Sequence, residues 1–532
     1  MTRRHLYSIV LVAFTLAASA SAADSNSVVD RARAGDLKAV QALVAKRADV
    51  NRPEADGTTA LHWAVRRGDA RMVDALLGAG AGAQTANSYG VTPLSLAAIN
   101  GDAATIDKLL KAGADATAPV TEGQTVLMLA ARTGKVDAIK RLAGAGANVN
   151  ASEKWMGETA LMWAANENNA AAVAALVELG SDVNARSATI TYPAQRPADP
   201  SNYVSSFVPK GQWTPLMYAA RENAIDAART LLDRGADVNV QDPDGVTPLL
   251  EAIVNLHYDL AAMLLEKGAD PSLADKAGMT PVFAVVEMRT PAWERSRPRL
   301  KELDDIDGVG LIGRLVDRGA DVNVPLKARQ LARYHAGGSA AFAEGTTPLM
   351  QAARYNHLDL VRLLVARGAD VKKAQPDGTT ALMIAAGVKY ALTQEGDPDN
   401  AGTADEAFEI VKLLAERGAD VNTENARGET ALYGAAFVGR NRAIAFLAER
   451  GAKLDAKTKT GLTILDGALN SSVPDEGTGS RVGGKPGEAT VKLVYDLMVK
   501  AGVEPTYKIT NDRLSIHVES ARQATAAAAP QK

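Results

Sequence analysis

Residues 235–249 read Gly-Ala-Asp-Val-Asn-Val-Gln-Asp-Pro-Asp-Gly-Val-Thr-Pro-Leu. Gly235 follows a helical stretch with paired leucines, Leu231 and Leu232, and supplies the left-handed residue that stops a helix. Gly245 then permits a tight turn, Thr247 is a helix N-cap, and Pro248 takes the first helical position, where no N–H is required. The segment therefore predicts helix end, turn, helix start.

The same order of signals recurs in both directions along the chain. A Thr-led helix start stands at Thr59, Thr92, Thr125, Thr159, Thr214, Thr247, Thr280, Thr347, Thr380, Thr430 and Thr463. Counted from one Thr to the next, the steps are 33, 33, 34, 55, 33, 33, 67, 33, 50 and 33. The recurring step sets the period, and the longer steps mark insertions. Pro follows the Thr at Pro93, Pro215, Pro248, Pro281 and Pro348, and a Leu-x-x-Ala-Ala run such as residues 127–131 lets a neighbouring helix come close. The Gly-Ala-Asp-Val-Asn terminator returns at residues 319–323 and 418–422.

This pattern resembles the ankyrin-repeat family, whose unit is about 33 residues long and opens its first helix with Thr-Pro-Leu-His-x-Ala. The resemblance covers roughly residues 28–505. It implies an all-α ankyrin-repeat solenoid of about twelve helix pairs with β-turn fingers, the first pair, within residues 23–51, being a capping unit and residues 52–505 the array. The family His occurs only at His62, and Met replaces it at Met128, Met162, Met217, Met350 and Met383. The link that this His makes to the Thr is thereby put in question, and the thioethers read as adaptable inter-repeat core rather than an oxidation-sensitive ladder.

Five loop insertions interrupt the array, near residues 186–211, 289–308, 324–344, 388–404 and 470–487. The first and third lengthen fingers; the others fall between paired helices. The 186–211 insertion carries Tyr192, Tyr203 and Phe207, with Trp213 just beyond it. Two readings stand for these rings: exposed, they are typical binding hot spots, and folded back, they cover the adjacent fingers. Tyr89 and Trp155 occupy finger tips. The family's concave face, made of finger tips and first-helix ends, adds Arg221, Glu222, Arg354 and Tyr355 as partner-binding candidates, with Arg66, Arg67, Arg132 and Asn166 in equivalent positions.

The N-terminus reads as a signal peptide: Arg3 and Arg4, an apolar run over residues 6–18, then Ala20-Ser21-Ala22, with cleavage expected after Ala22. The run is too short for the ~20 residues that span a bilayer. With no cysteine in the chain, disulfides and thiolate metal sites are excluded, and a periplasmic or secreted bacterial protein held by packing alone is expected. Residues 506–532 read as a partly disordered tail.

A formal net charge of −3 and the lack of a basic stripe argue against nucleic acid. Gly308, Gly310 and Gly313 match Gly-x-Gly-x-x-Gly but enter a repeat helix instead of following a buried strand, so no nucleotide is expected. Asp397, Asp399 and Gly402 open like a calcium loop, but Ala401 stands at its fifth position and no closing Glu follows. Asp304, Asp305 and Asp307 read as a solvated acidic loop, and no second His lies at ligand spacing. No cofactor, metal or catalytic residue is expected. The expectation is a non-catalytic scaffold, monomeric, binding a protein partner. The alternatives are an accessory or protective partner of an exported enzyme, related to oxidative stress, and an enzyme hidden in the insertions.

Overall fold

The computed structural model describes residues 27–189, 211–289, 304–327, 344–388, 403–469 and 487–505. The expected signal peptide, the tail, most of each insertion, and Tyr192, Tyr203 and Phe207 lie outside them. By their contacts the described helices fall into two compact units, with the break after Ala236.

The first unit holds the pairs α1 (Val28–Ala34) and α2 (Leu37–Ala45), α3 (Ala60–Arg66) and α4 (Ala70–Gly78), α5 (Pro93–Asn100) and α6 (Ala103–Lys111). It continues with α7 (Val126–Thr133) and α8 (Val136–Gly144), α9 (Ala160–Asn166) and α10 (Ala170–Glu178), α11 (Pro215–Arg221) and α12 (Ile225–Asp233). The second unit holds α13 (Pro248–Val254) and α14 (Tyr258–Glu266), α15 (Pro281–Arg289) and α16 (Gly308–Asp317), α17 (Pro348–Arg354) and α18 (Leu358–Ala366). It ends with α19 (Ala381–Ala386) and α20 (Ala404–Glu416), α21 (Ala431–Phe437) and α22 (Asn441–Glu449), α23 (Ile464–Leu469) and α24 (Glu488–Lys500). These are the twelve pairs that the spacing predicts. Within each unit every first helix packs on the first helices of its neighbours, and second helices pack on second helices.

Each repeat is built by the same local chemistry. Thr125 accepts from the Met128 N–H, and Thr247 from the Leu250 N–H, satisfying donors that a helix start leaves open. The buried face follows, with Leu127, Ala130 and Ala131 in one repeat and Leu249, Ala252 and Ile253 in another. Gly235, at φ 90°, occupies the left-handed stop where an L side chain is strained. The Asn of Gly-Ala-Asp-Val-Asn does more than fill a turn. Asn51 donates from Nδ2 to the Gly80 carbonyl (3.0 Å) and accepts the Gly82 N–H (2.8 Å), stapling one repeat to the next. Asn150, Asn239, Asn323 and Asn422 make the same bond to Gly180, Gly268, Gly368 and Gly451. Asn184 reaches Gly235 at 3.4 Å although an insertion separates them by 51 residues.

The position of the family His resolves into two chemistries. His62 Nδ1 accepts the Thr59 N–H at 3.1 Å, so Nε2 carries the hydrogen and donates to the Val91 carbonyl of the next turn at 3.0 Å. Burial pushes the His62 pKa down, against the pull of that carbonyl. Where Met stands, sulfur accepts in place of Nδ1: Thr125 N–H to Met128 Sδ and Thr159 N–H to Met162 Sδ, both 3.4 Å. The local link survives in these two repeats. A thioether has no hydrogen to donate onward, so it cannot reproduce the bond to the following turn.

Candidate functional site

In the first unit the fingers are held from both sides. Asn87 Oδ1 accepts the N–H groups of Tyr89 (3.1 Å) and Val91 (2.9 Å), and the Ser88 N–H donates to the Asp56 carbonyl of the preceding finger at 2.8 Å. Two fingers further on, the Glu153 carboxylate accepts from the N–H groups of Trp155 (2.6 Å), Met156 (2.7 Å) and Glu158 (2.9 Å). The Lys154 N–H donates to Glu122 in the finger before. Gly157 fits there because a Cβ would stand 2.5 Å from the Ala188 nitrogen. These turns present Tyr89 at 52% exposure and Trp155 at 64%. Large aromatics so exposed, on rigid turns, lose little conformational freedom when a partner covers them.

Beside the fingers run the ends of the first helices. The fourth and seventh residues after each capping Thr lie on one helix face. In the first unit these are Trp63 and Arg66, Leu96 and Ile99, Leu129 and Arg132, Trp163 and Asn166, Tyr218 and Arg221. The Arg66 guanidinium lies 5.5 Å from the Trp63 ring centre, and Arg132 lies 5.9 Å from Trp163 of the next repeat. Ile99, at 38% exposure, separates them. The indoles of Trp63 and Trp163 were not among the sequence candidates, although an aromatic three residues before an arginine on one helix was readable at Trp63 and Arg66.

The remaining candidates are placed differently. Trp213 is buried at 4% exposure, edge-on to Tyr218 with ring centres 5.5 Å apart. Arg221 covers both rings, at 5.1 and 5.3 Å, donates from Nε to Glu222 (2.8 Å) and from Nη2 to Asn166 Oδ1 (2.9 Å). Tyr218 also bonds the buried Glu158 carboxylate, and burial is the larger cause raising its hydroxyl pKa. In the second unit Arg354 and Tyr355 are buried, at 6% and 5% exposure. Arg354 Nε and Nη1 make no hydrogen bond, and burial pushes its pKa down against the attraction of Glu287. Gln351 donates to the buried Glu287 carboxylate at 2.9 Å.

Of the motifs set aside, Asp397, Asp399 and Gly402 lie outside the described residues, and the glycines and aspartates around residue 307 have structural roles. Asp307 caps α16 by accepting the Gly310 N–H at 2.7 Å. Asp304 accepts the Asp259 N–H at 2.9 Å, while the Asp259 carboxylate accepts from Asp305 and Ile306. Among the described residues no group of three His, Asp or Glu side chains could hold a metal ion, and no helix is long and apolar enough to cross a membrane.

Stacked helix pairs joined by hydrogen-bonded turns define a repeat solenoid of the kind used as an interaction scaffold. The ankyrin-repeat family profiles match residues 30–120, 94–187, 198–275 and 311–394, with a single repeat matched at 377–426. The chain belongs to the ankyrin-repeat family. Among solved structures it is similar to the human ASB11 ankyrin repeat domain, at 25% identity and a TM-score of 0.38, over 46% of this chain and 98% of that one. No curated protein sequence matches.

Proposed function

We propose that this chain is exported, loses residues 1–22, and acts in the periplasm or outside the cell as a monomeric, non-catalytic scaffold that binds a protein partner. The binding surface is the finger-tip and first-helix face of the first unit, with Tyr89 and Trp155 as anchors. The observation that carries this reading is the exposure of those two rings on hydrogen-bonded turns. A folded chain keeps rings of this size in water at a cost that a partner removes.

Affinity capture from periplasm with the tagged full chain, followed by mass spectrometry, tests it. The native chain retains a protein that the doubly substituted Tyr89→Ser, Trp155→Ser chain does not. Equal recovery on both chains would overturn the assignment of the surface.

A further inference from the structure

Between the two anchor rings stands a charge. Tyr89, Glu122 and Trp155 are exposed at the tips of successive fingers of the first unit. Hydrogen bonds lace these tips together: Thr121 Oγ1 donates to the Tyr89 carbonyl at 2.6 Å, and the Lys154 N–H donates to the Glu122 carbonyl at 3.0 Å. The middle turn is left-handed at both Glu122 and Gly123, with φ of 57° and 81°. The strip reads aromatic, carboxylate, aromatic, on a backbone that is held before anything binds.

Glu122 differs from the other acids of these fingers. Asp56 accepts the Thr58 N–H at 2.9 Å, Glu54 pairs with Arg33 at 3.1 Å, and Glu153 accepts N–H groups of its own turn. Each of those is committed inside the chain. Among the described residues, no hydrogen bond or ion pair engages the Glu122 carboxylate. The neighbouring cation, Lys154, runs its stem along Gly123, where a Cβ would stand 2.8 Å from its Cγ, and makes no ion pair with Glu122.

A partner that covers both rings passes over Glu122. Taking a carboxylate out of water without a counter-charge is costly enough to cancel what the rings contribute. The partner therefore has to bring a cation to the middle of the strip. A guanidinium suits that place better than an ammonium, because its planar fork grips a carboxylate while its face stacks on an indole. Helices of adjacent repeats pack about 10 Å apart, a distance that an extended peptide covers in about three residues.

We infer that the strip of Tyr89, Glu122 and Trp155 recognises an extended partner segment with an arginine at its centre and an apolar side chain about three residues to either side. This rests on the binding surface proposed above and adds the chemistry of the group that it takes.

Capped peptides Leu-Gly-Ser-Xaa-Ser-Gly-Leu, with arginine, its neutral isostere citrulline, or glutamate at the centre, are titrated against the full chain by calorimetry. The arginine peptide is expected to bind about 10-fold more tightly than the citrulline peptide, and the glutamate peptide more weakly still. Glu122→Gln is expected to abolish that preference while leaving citrulline binding unchanged, and raised salt to narrow it. Lys154→Ala, which takes away the cation beside Glu122, is expected to leave arginine binding equal or tighter. Circular dichroism melts of both variants exclude unfolding as the cause. No binding of the arginine peptide, equal binding of arginine and citrulline, or a preference that survives Glu122→Gln overturns the inference. If the partner captured from periplasm depends on Tyr89 and Trp155 but is held as well by the Glu122→Gln chain as by the native one, the inference fails alone. If capture ignores those rings, the parent reading fails with it.

Discussion

The same helix face reaches solvent at some repeats of the first unit, although Trp163 and Tyr218 lie buried there, and carries buried polar side chains in the second. In the first, the fourth and seventh positions after the capping Thr bring Trp63, Arg66, Ile99 and Arg132 to solvent at least in part. In the second they place Glu251, Glu287, Gln351 and Arg354 in the interior, none above 6% exposure. Register fixes the direction in which a side chain leaves the helix. It does not decide whether water reaches the tip. A polar group on that face is structurally committed at Glu251, Glu287, Gln351 and Arg354 in the second unit, and in the first unit at Arg221, which bonds Asn166 and covers Trp213 and Tyr218.

The largest expected effect lies in the second unit. Gln351→Leu removes the donor facing the Glu287 carboxylate at 2.9 Å, and leaving a buried charge short of a hydrogen bond costs about 2–3 kcal/mol. Urea denaturation checks this, and an unchanged midpoint would make the two units alike. Tyr218→Phe is the nearest equivalent in the first unit, since it strips a hydroxyl from buried Glu158. Its expected cost is about 1–2 kcal/mol, because Glu158 lies beside the finger backbone rather than inside a helix stack.

Smaller still is the acid response of His62. Burial lowers its folded pKa below the usual histidine value, so its contribution to stability is complete above that value and is lost as pH falls from there toward the folded pKa. His62→Met, which installs the residue found at this register in five other repeats, is expected to flatten the difference between denaturation midpoints at pH 7.5 and pH 5. An undiminished pH dependence would remove His62 from that account. At the bottom of the scale, Tyr89→Ser and Trp155→Ser change stability by no more than about 0.5 kcal/mol, while they abolish partner capture. A loss above about 1 kcal/mol would mark those rings as packing residues and erase the contrast.

The repeat was readable in the sequence because its signals are local. A capping Thr, a Pro at the first helical position and a Gly at the stop act within a turn of where they stand. Tyr89 and Trp155 were readable for the same reason: each sits on a turn closed by a nearby side chain, Asn87 or Glu153. Trp213, Arg354 and Tyr355 occupy registers that suggested surface but lie buried, and burial depends on groups remote in the chain that no local pattern reports. The Asn staple stands at the same place in the terminators that end at Asn51, Asn150, Asn184, Asn239, Asn323 and Asn422, yet its partner lies about a repeat away and only the fold reveals it. The sulfur acceptors at Met128 and Met162 were hidden by chemistry instead: Met reads as apolar, and only its approach to a backbone N–H exposes the second role.

That Asn staple has a consequence for how such a chain can grow. Asn51 and Gly80 are 29 residues apart, Asn323 and Gly368 are 45, and Asn184 and Gly235 are 51, yet all make the one bond. Closing the longest of these loops instead of the shortest costs only about 0.5 kcal/mol of chain entropy. Material can therefore be spliced in between a staple and its target almost without thermodynamic penalty, and the array remains in phase on either side. A lineage carrying this scaffold is free to try new loops at those seams while the stack that supports them stays the same.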